Sequence, residues 1–144
     1  MDARYWRLTA TSRRDHGPFP GGGSTFLQDR SGSTRPGYPR SVSTIEVHGR
    51  TVAYAEDGSG EETVVLVHSS GLGGGQWRRV VPLLVEAGYR VVVPELFGYG
   101  GSDPWPPSEP FDALDDADVV EALVAGCGPG PVHLVGHSYG GVVA

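Results

Sequence analysis

A serine hydroxyl becomes a nucleophile only when a base can take its proton and the backbone presents it to a substrate. Ser138 lies within Gly136-His137-Ser138-Tyr139-Gly140, a Gly-x-Ser-x-Gly spacing that follows directly on a strand-like segment at residues 131–135. Gly141-Val142-Val143-Ala144 behind it can open a helix. Alone the spacing is weak, because small residues produce it often. Between a strand and a helix it describes a sharp turn, a nucleophile elbow, with the serine at its tip. Gly136 and Gly140 then let strand and helix come close enough to hold Ser138 in backbone angles unfavourable to a side chain. The alternative is a glycine-rich turn carrying an incidental serine, and the context weighs against it.

Other chemistry-bearing residues fit rival roles poorly. His133 and His137 have the H-x3-H spacing of a metal-binding helix face, but here they span a strand and its turn, so no metal site is expected. Gly71-Leu72-Gly73 begins like a dinucleotide-binding loop, yet the third glycine position holds Gln76. The chain has no lysine, which removes the Gly-Lys-Ser/Thr phosphate loop. The single Cys127 allows no internal disulfide and reads as a small buried or half-buried thiol. No cofactor is expected.

Charge divides the chain in two. Residues 1–40 carry seven arginines against three acids, about +4, and residues 41–144 carry four arginines against fourteen acids, about −10. An acidic body opposes a nucleic-acid surface, because phosphate contacts need clustered positive charge. The leader contains stretches such as Gly17-Pro18-Phe19-Pro20-Gly21-Gly22-Gly23 with no helical or strand period, which bury too little apolar surface to offset chain entropy. Residues 1–40 are therefore expected to be a disordered basic leader, with order beginning near Ser41. A docking tail and a start codon assigned too far upstream are the further readings. No apolar run reaches the length of a membrane span, and the first residues lack the apolar core of a secretory signal. The expectation is a cytoplasmic protein with no membrane contact that acts on a small-molecule substrate.

The elements that must position Ser138 follow from the apolar periods. Residues 44–48 and 51–55 alternate around a turn at Gly49-Arg50, as in a half-buried antiparallel hairpin. Residues 63–67 are a continuous apolar run suited to a parallel strand covered on both faces, and residues 90–94 and 131–135 read as the next two strands of the same sheet. Trp77, Val80, Val81, Leu84 and Val85 recur at helical spacing up to Gly88, with Pro82 in the first turn of the main helix. Asp112 caps a second helix, with Asp115 three positions on, and Ala113, Ala117, Val120 and Val124 mark its buried face. The order is a hairpin followed by β-α-β-α-β, an α/β class with a mostly parallel sheet.

With the elbow in that setting, the chain resembles the α/β-hydrolase superfamily over roughly residues 43–144. Leu66-Val67-His68 followed by Ser69-Ser70-Gly71 is similar to the family's His-Gly-x loop, which supplies an oxyanion-hole amide. Trp77 and Val80-Val81-Pro82-Leu83-Leu84 look like its first helix. Pro94-Glu95-Leu96-Phe97-Gly98-Tyr99-Gly100-Gly101-Ser102-Asp103 is similar to its Gly-x-Gly-x-Ser-Asp loop. The resemblance implies that Ser138 is the catalytic nucleophile and that the backbone N–H groups of Ser70 and Tyr139 form the oxyanion hole. His68, Ser69, Gly136, His137 and Gly140 are then supporting residues, with His68 ordering the loop by hydrogen bonding and Asp103 a loop-ordering carboxylate. The family usually has glycine where this chain has Ser69, which leaves open whether Ser69 or Ser70 turns its amide inward.

In this family the triad runs Ser, then Asp or Glu, then His. Only Tyr139, Gly140, Gly141, Val142, Val143 and Ala144 follow Ser138, and none can be the acid or the histidine. The resemblance therefore implies an incomplete domain over residues 41–144, truncated after the elbow, with an apolar edge at residues 131–135 and no activity of its own. The intact protein is expected to be a serine hydrolase that cleaves an ester-like carbonyl through an acyl-enzyme. Serine at position 138 disfavours the dehalogenase and epoxide-hydrolase relatives, which need a carboxylate there. Acyl transfer and C–C hydrolysis use the same elbow, and a non-catalytic small-molecule-binding module on this fold is the reading from another class.

Overall fold

The structure, a computed structural model, describes residues 41–144. The expectation for residues 1–40 lies outside the described residues. Strand β1 (Ser41–Val47) pairs antiparallel with β2 (Arg50–Asp57), Thr44 lying opposite Ala53 and Val47 opposite Arg50. The turn between them is His48-Gly49, one residue earlier than the sequence suggested, with φ of 53° and 68°. Two positive φ angles match the twist of a two-residue hairpin, and the glycine accommodates one without cost. His48 is held in the other by Asp118, whose Oδ2 lies 2.8 Å from its Nε2.

Strands β3 (Thr63–Val67), β4 (Arg90–Pro94) and β5 (Val132–Gly136) complete a five-stranded sheet in the order β1-β2-β4-β3-β5. β2 meets β4 antiparallel, and β3 runs parallel to both β4 and β5. Strand alternation sends the apolar residues of β3 and β4 to two faces. Val65, Val67 and Val92 pack with Val119, Val120 and Leu123 of helix α2 (Ala113–Gly126) and Val143 of helix α3 (Tyr139–Val143). Val64, Leu66, Val91 and Val93 pack with Val81, Leu84 and Val85 of helix α1 (Val81–Glu86) and with Trp77. Both faces are covered, which is why these runs are apolar without interruption.

Two helical expectations need correction. The first helix is shorter than its period suggested: a 3-10 turn spans Gly74–Trp77, α1 begins only at Val81, and Val80 is exposed rather than buried. Pro82 lies at the second position of α1, where a missing N–H loses no helical bond. The buried face of α2 is centred on Asp116, Val119, Val120 and Leu123; of the expected row, Val120 is buried, and Ala117 and Val124 are half-buried against the same core. The cap of α2 is as expected, with the Leu114 N–H donating to Asp112 Oδ1 at 2.7 Å and the Asp112 N–H to Asp115 Oδ2 at 2.8 Å.

The connections decide where a ligand can bind. α1 carries the chain from β3 to β4 across one face, and α2 carries it back over β3 to β5 across the other. Travel across the sheet therefore reverses between β3 and β5, and open α/β sheets bind ligands outside the carboxyl ends at such a point. β5 is an edge strand of the described sheet, with Leu134 and Val135 43% and 41% exposed. No helix among the described residues is long and apolar enough to cross a membrane.

Candidate active site

The turn from β5 into α3 places Ser138 at φ 54° and ψ −116°, a left-handed conformation that a residue with a Cβ rarely adopts. Backbone bonds close the turn: the Gly140 N–H donates to the His137 carbonyl at 3.0 Å and the Gly141 N–H to the Ser138 carbonyl at 2.8 Å. The His137 N–H donates to the Val67 carbonyl at 3.1 Å and ties the elbow to the end of β3. A Cβ on Gly136 would run into the Gly140 carbonyl, and one on Gly140 would come within 2.6 Å of the His68 carbonyl. Both glycines are thus spaces that the neighbouring backbone occupies. Ser138 itself is exposed at the tip.

Beside it, the loop after β3 is fixed from within. His68 is fully buried. The Leu96 N–H donates to its Nε2 at 3.1 Å, so that nitrogen is unprotonated and Nδ1 carries the hydrogen, which it donates to the Ser69 carbonyl at 2.9 Å. Buried Ser69 is locked by Gln76, whose Oε1 accepts from the Ser69 N–H at 3.1 Å and from its hydroxyl at 3.0 Å. The Gly71 N–H donates to the Tyr99 hydroxyl at 2.7 Å. Between these two tethered amides, that of Ser70 has no acceptor among the described residues, and neither has that of Tyr139 at the first turn of α3. Parallel pairing that sets Val67 opposite Gly136 brings the two segments to one end of the sheet.

The sequence profile of the alpha/beta hydrolase fold family matches residues 62–144, more than half of the chain. The chain belongs to the alpha/beta hydrolase fold family. Among its relatives, a 2-hydroxy-6-oxononadienedioate/2-hydroxy-6-oxononatrienedioate hydrolase of Dechloromonas aromatica is 42% identical over 91 residues, 61% of this chain and 31% of the relative. An enzyme of the same name from Escherichia coli K12 is 37% identical over 102 residues, 67% of this chain and 35% of the relative. The chain thus spans about a third of the length of these curated relatives. An epoxide hydrolase from Vigna radiata superposes with a TM-score of 0.66 at 31% identity, over 72% of this chain and 33% of that one. A thioesterase domain from the curacin biosynthetic pathway gives 0.67 at 30% identity, over 72% and 39%.

Within this hydrolase fold the remaining candidates take structural places. The Thr51 N–H donates to Asp103 Oδ2 and the Asp103 N–H to the Thr51 carbonyl, both at 2.8 Å, so Asp103 pins the loop after β4 to β2. His133 pairs with Glu62 at 2.9 Å, near the start of β5 and away from the elbow. Exposed His137 lines an open groove of about 700 Å³ with Leu72, Trp77 and Val80. No group of three or more His, Cys, Asp or Glu among the described residues is placed to hold a metal ion. Burial pushes the Cys127 thiol up, away from the reactive thiolate.

Four residues near the site are not singled out by the sequence: Gln76 and Asp116, which stand in no motif, and Glu95 and Tyr99, which stand in the loop that resembles the family's Gly-x-Gly-x-Ser-Asp segment without a role assigned to them. The Glu95 carboxylate accepts from the Gly74 N–H at 2.9 Å and fills the space that Cβ atoms on Gly74 and Gly100 would need. Asp116, 3% exposed, accepts from the Phe97 N–H at 3.2 Å and the Tyr139 hydroxyl at 2.8 Å. Burial raises the pKa of its carboxyl, and the Tyr139 and Phe97 hydrogen bonds act against that shift. Tyr139 is pushed above the ordinary phenol range by burial and then by Asp116.

Proposed function

We propose that Ser138 is the nucleophile of a serine hydrolase and that the backbone N–H groups of Ser70 and Tyr139 form its oxyanion hole. The observation that carries this reading is the backbone of Ser138, held at φ 54° between two glycines with no room for a Cβ. Such a conformation costs about 1–3 kcal/mol and persists where surrounding structure enforces it. Ser138 Oγ attacks a carbonyl carbon while a histidine takes its proton, and the carbonyl oxygen gains charge beside the two open amides. Collapse expels the leaving group with that proton, and water hydrolyses the acyl-enzyme. Ser70 is favoured over Ser69 as donor because the Ser69 amide is spent on Gln76. His68 is unsuited to be the base, since both of its ring nitrogens are engaged. Serine rather than a carboxylate at the elbow separates the chain from the epoxide hydrolases it resembles in shape.

The names of the curated relatives favour one refinement, hydrolysis of a carbon–carbon bond next to a carbonyl in a 2-hydroxy-6-oxo dienedioate. A fluorophosphonate probe tests the nucleophile. In a form of the protein long enough to carry the acid and histidine, it should label Ser138, and Ser138→Ala should abolish both labelling and ester turnover. Labelling at Ser69 or Ser70 instead would overturn the assignment. Residues 1–144 alone should show no significant p-nitrophenyl ester turnover, because residues 139–144 hold no acid or histidine.

A further inference from the structure

The two open amides sit at the ends of one connected route. From Ser70 it passes through the Ser69 carbonyl to His68 Nδ1, and from His68 Nε2 to the Leu96 N–H. The next residue, Phe97, donates its N–H to Asp116, and Asp116 accepts the hydroxyl of Tyr139. Every link is a hydrogen bond of 3.2 Å or less or a stretch of one or two residues of backbone. Asp116 is its one carboxylate, set in an otherwise apolar helix face beside Val119, Val120 and Leu123. An acid at such a position costs desolvation unless its bonds compensate. Val119 and Val120 beside it fill the core, so packing alone would be served by another apolar side chain.

We infer that Asp116 is a positioning residue that holds the Tyr139 amide in register with the Ser70 amide, so that both point at one oxyanion. This rests on the reading of Ser138 as nucleophile. Asp116 makes no hydrogen bond to Ser138; it acts through Tyr139 on one side and through Phe97, Leu96 and His68 on the other. Two donors serve a tetrahedral intermediate only if both reach the same oxygen, and small misplacements are costly in rate. Losing Asp116 frees the Tyr139 ring and the loop at Phe97 together, while the groove lined by Leu72, Trp77 and His137 does not include it.

The test is a comparison of Asp116→Ala, Asp116→Asn, Tyr139→Phe and the Asp116→Ala/Tyr139→Phe double variant in the full-length protein, with kcat and KM measured on a p-nitrophenyl ester. Asp116→Ala should lower kcat about tenfold, with KM held within about twofold. Asp116→Asn, which keeps an acceptor for Tyr139, should recover most of the loss. The double variant should be no slower than Asp116→Ala, because both changes cut one route. Amide resonances of a 15N-labelled sample give an independent readout: substitution at Asp116 should shift the Ser70 amide as well as that of Tyr139. An unchanged kcat in a folded variant, additive losses, or an unmoved Ser70 amide would each overturn the inference. If Asp116→Ala does not fold, Asp116→Asn and Tyr139→Phe decide it by the same criteria. Residual turnover in Ser138→Ala would instead break the nucleophile reading, and the amide shifts would still report on the route.

Discussion

The turns after β3 and after β5 lie side by side and are built by opposite means. The loop from His68 to Gln76 is held by side chains reaching in from elsewhere: Gln76 on Ser69, Tyr99 on Gly71, Glu95 on Gly74. The turn at Ser138 is held chiefly by backbone against backbone, with glycines where β5, α3 and the end of β3 meet and one side-chain tie, from Tyr139 to Asp116, just behind it. A side-chain lock degrades by degrees, because each bond can be lost separately. A backbone lock leaves nothing to bend, since the atoms in the way belong to the main chain.

The largest effect should therefore come from one methyl group in the elbow. Gly140→Ala places a Cβ against the carbonyls of Val67 and His68, neither of which is the end of a flexible side chain. A loss of about 3 kcal/mol is expected, at the upper end for overpacking, and a thermal melt reads it. A variant that melts with the parent would mean the close approach is not what holds the turn. In the loop, Gln76→Ala leaves the buried Ser69 N–H and hydroxyl without acceptors, a cost of about 2 kcal/mol. Adding Ser69→Gly should return part of that loss, and a double-mutant cycle checks it. Relief of strain gives a smaller effect of opposite sign: Ser138→Gly should be more stable than Ser138→Ala by about 1 kcal/mol, since glycine accepts φ 54° freely. Equal stability of the two would argue that Ser138 is unstrained.

The subtlest change replaces one atom. Because burial raises the Asp116 carboxyl, the folded state holds that proton more tightly than the unfolded chain does. Its charge thus opposes folding increasingly as pH climbs from the ordinary carboxylate range through the raised value. Asp116→Asn removes the charge and should melt above the parent at neutral pH, with the two curves converging in acid. A gap that widens in acid would reverse the assigned shift.

The contrast between the turns is also why one could be read from sequence and the other only partly. Gly136, Ser138 and Gly140 are local, and their spacing states the backbone's needs outright. β3 and β4 were equally plain, since strands covered on both faces tolerate no polar break. Gln76 and Tyr99 act across 7 and 28 residues on a loop with no period of its own, and although Tyr99 stands inside a recognisable motif, nothing in that motif's spacing points to Gly71 as its partner. Asp116 was hidden differently. It stands among Asp112, Asp115 and Asp118, where an acid near a helix start reads as a solvated capping residue.

The strand order carries a consequence for synthesis. β3 is flanked by β4 and β5, yet β5 leaves the ribosome about 70 residues later, on the order of 4–14 s at ordinary elongation rates. For that interval Thr63-Val64-Val65-Leu66-Val67, uncharged and rich in branched residues, keeps one row of main-chain donors and acceptors vacant. Such a segment recruits copies of itself when unprotected. Whatever shields the nascent chain must therefore outlast β4 and α2, because one side of β3 stays open until β5 arrives.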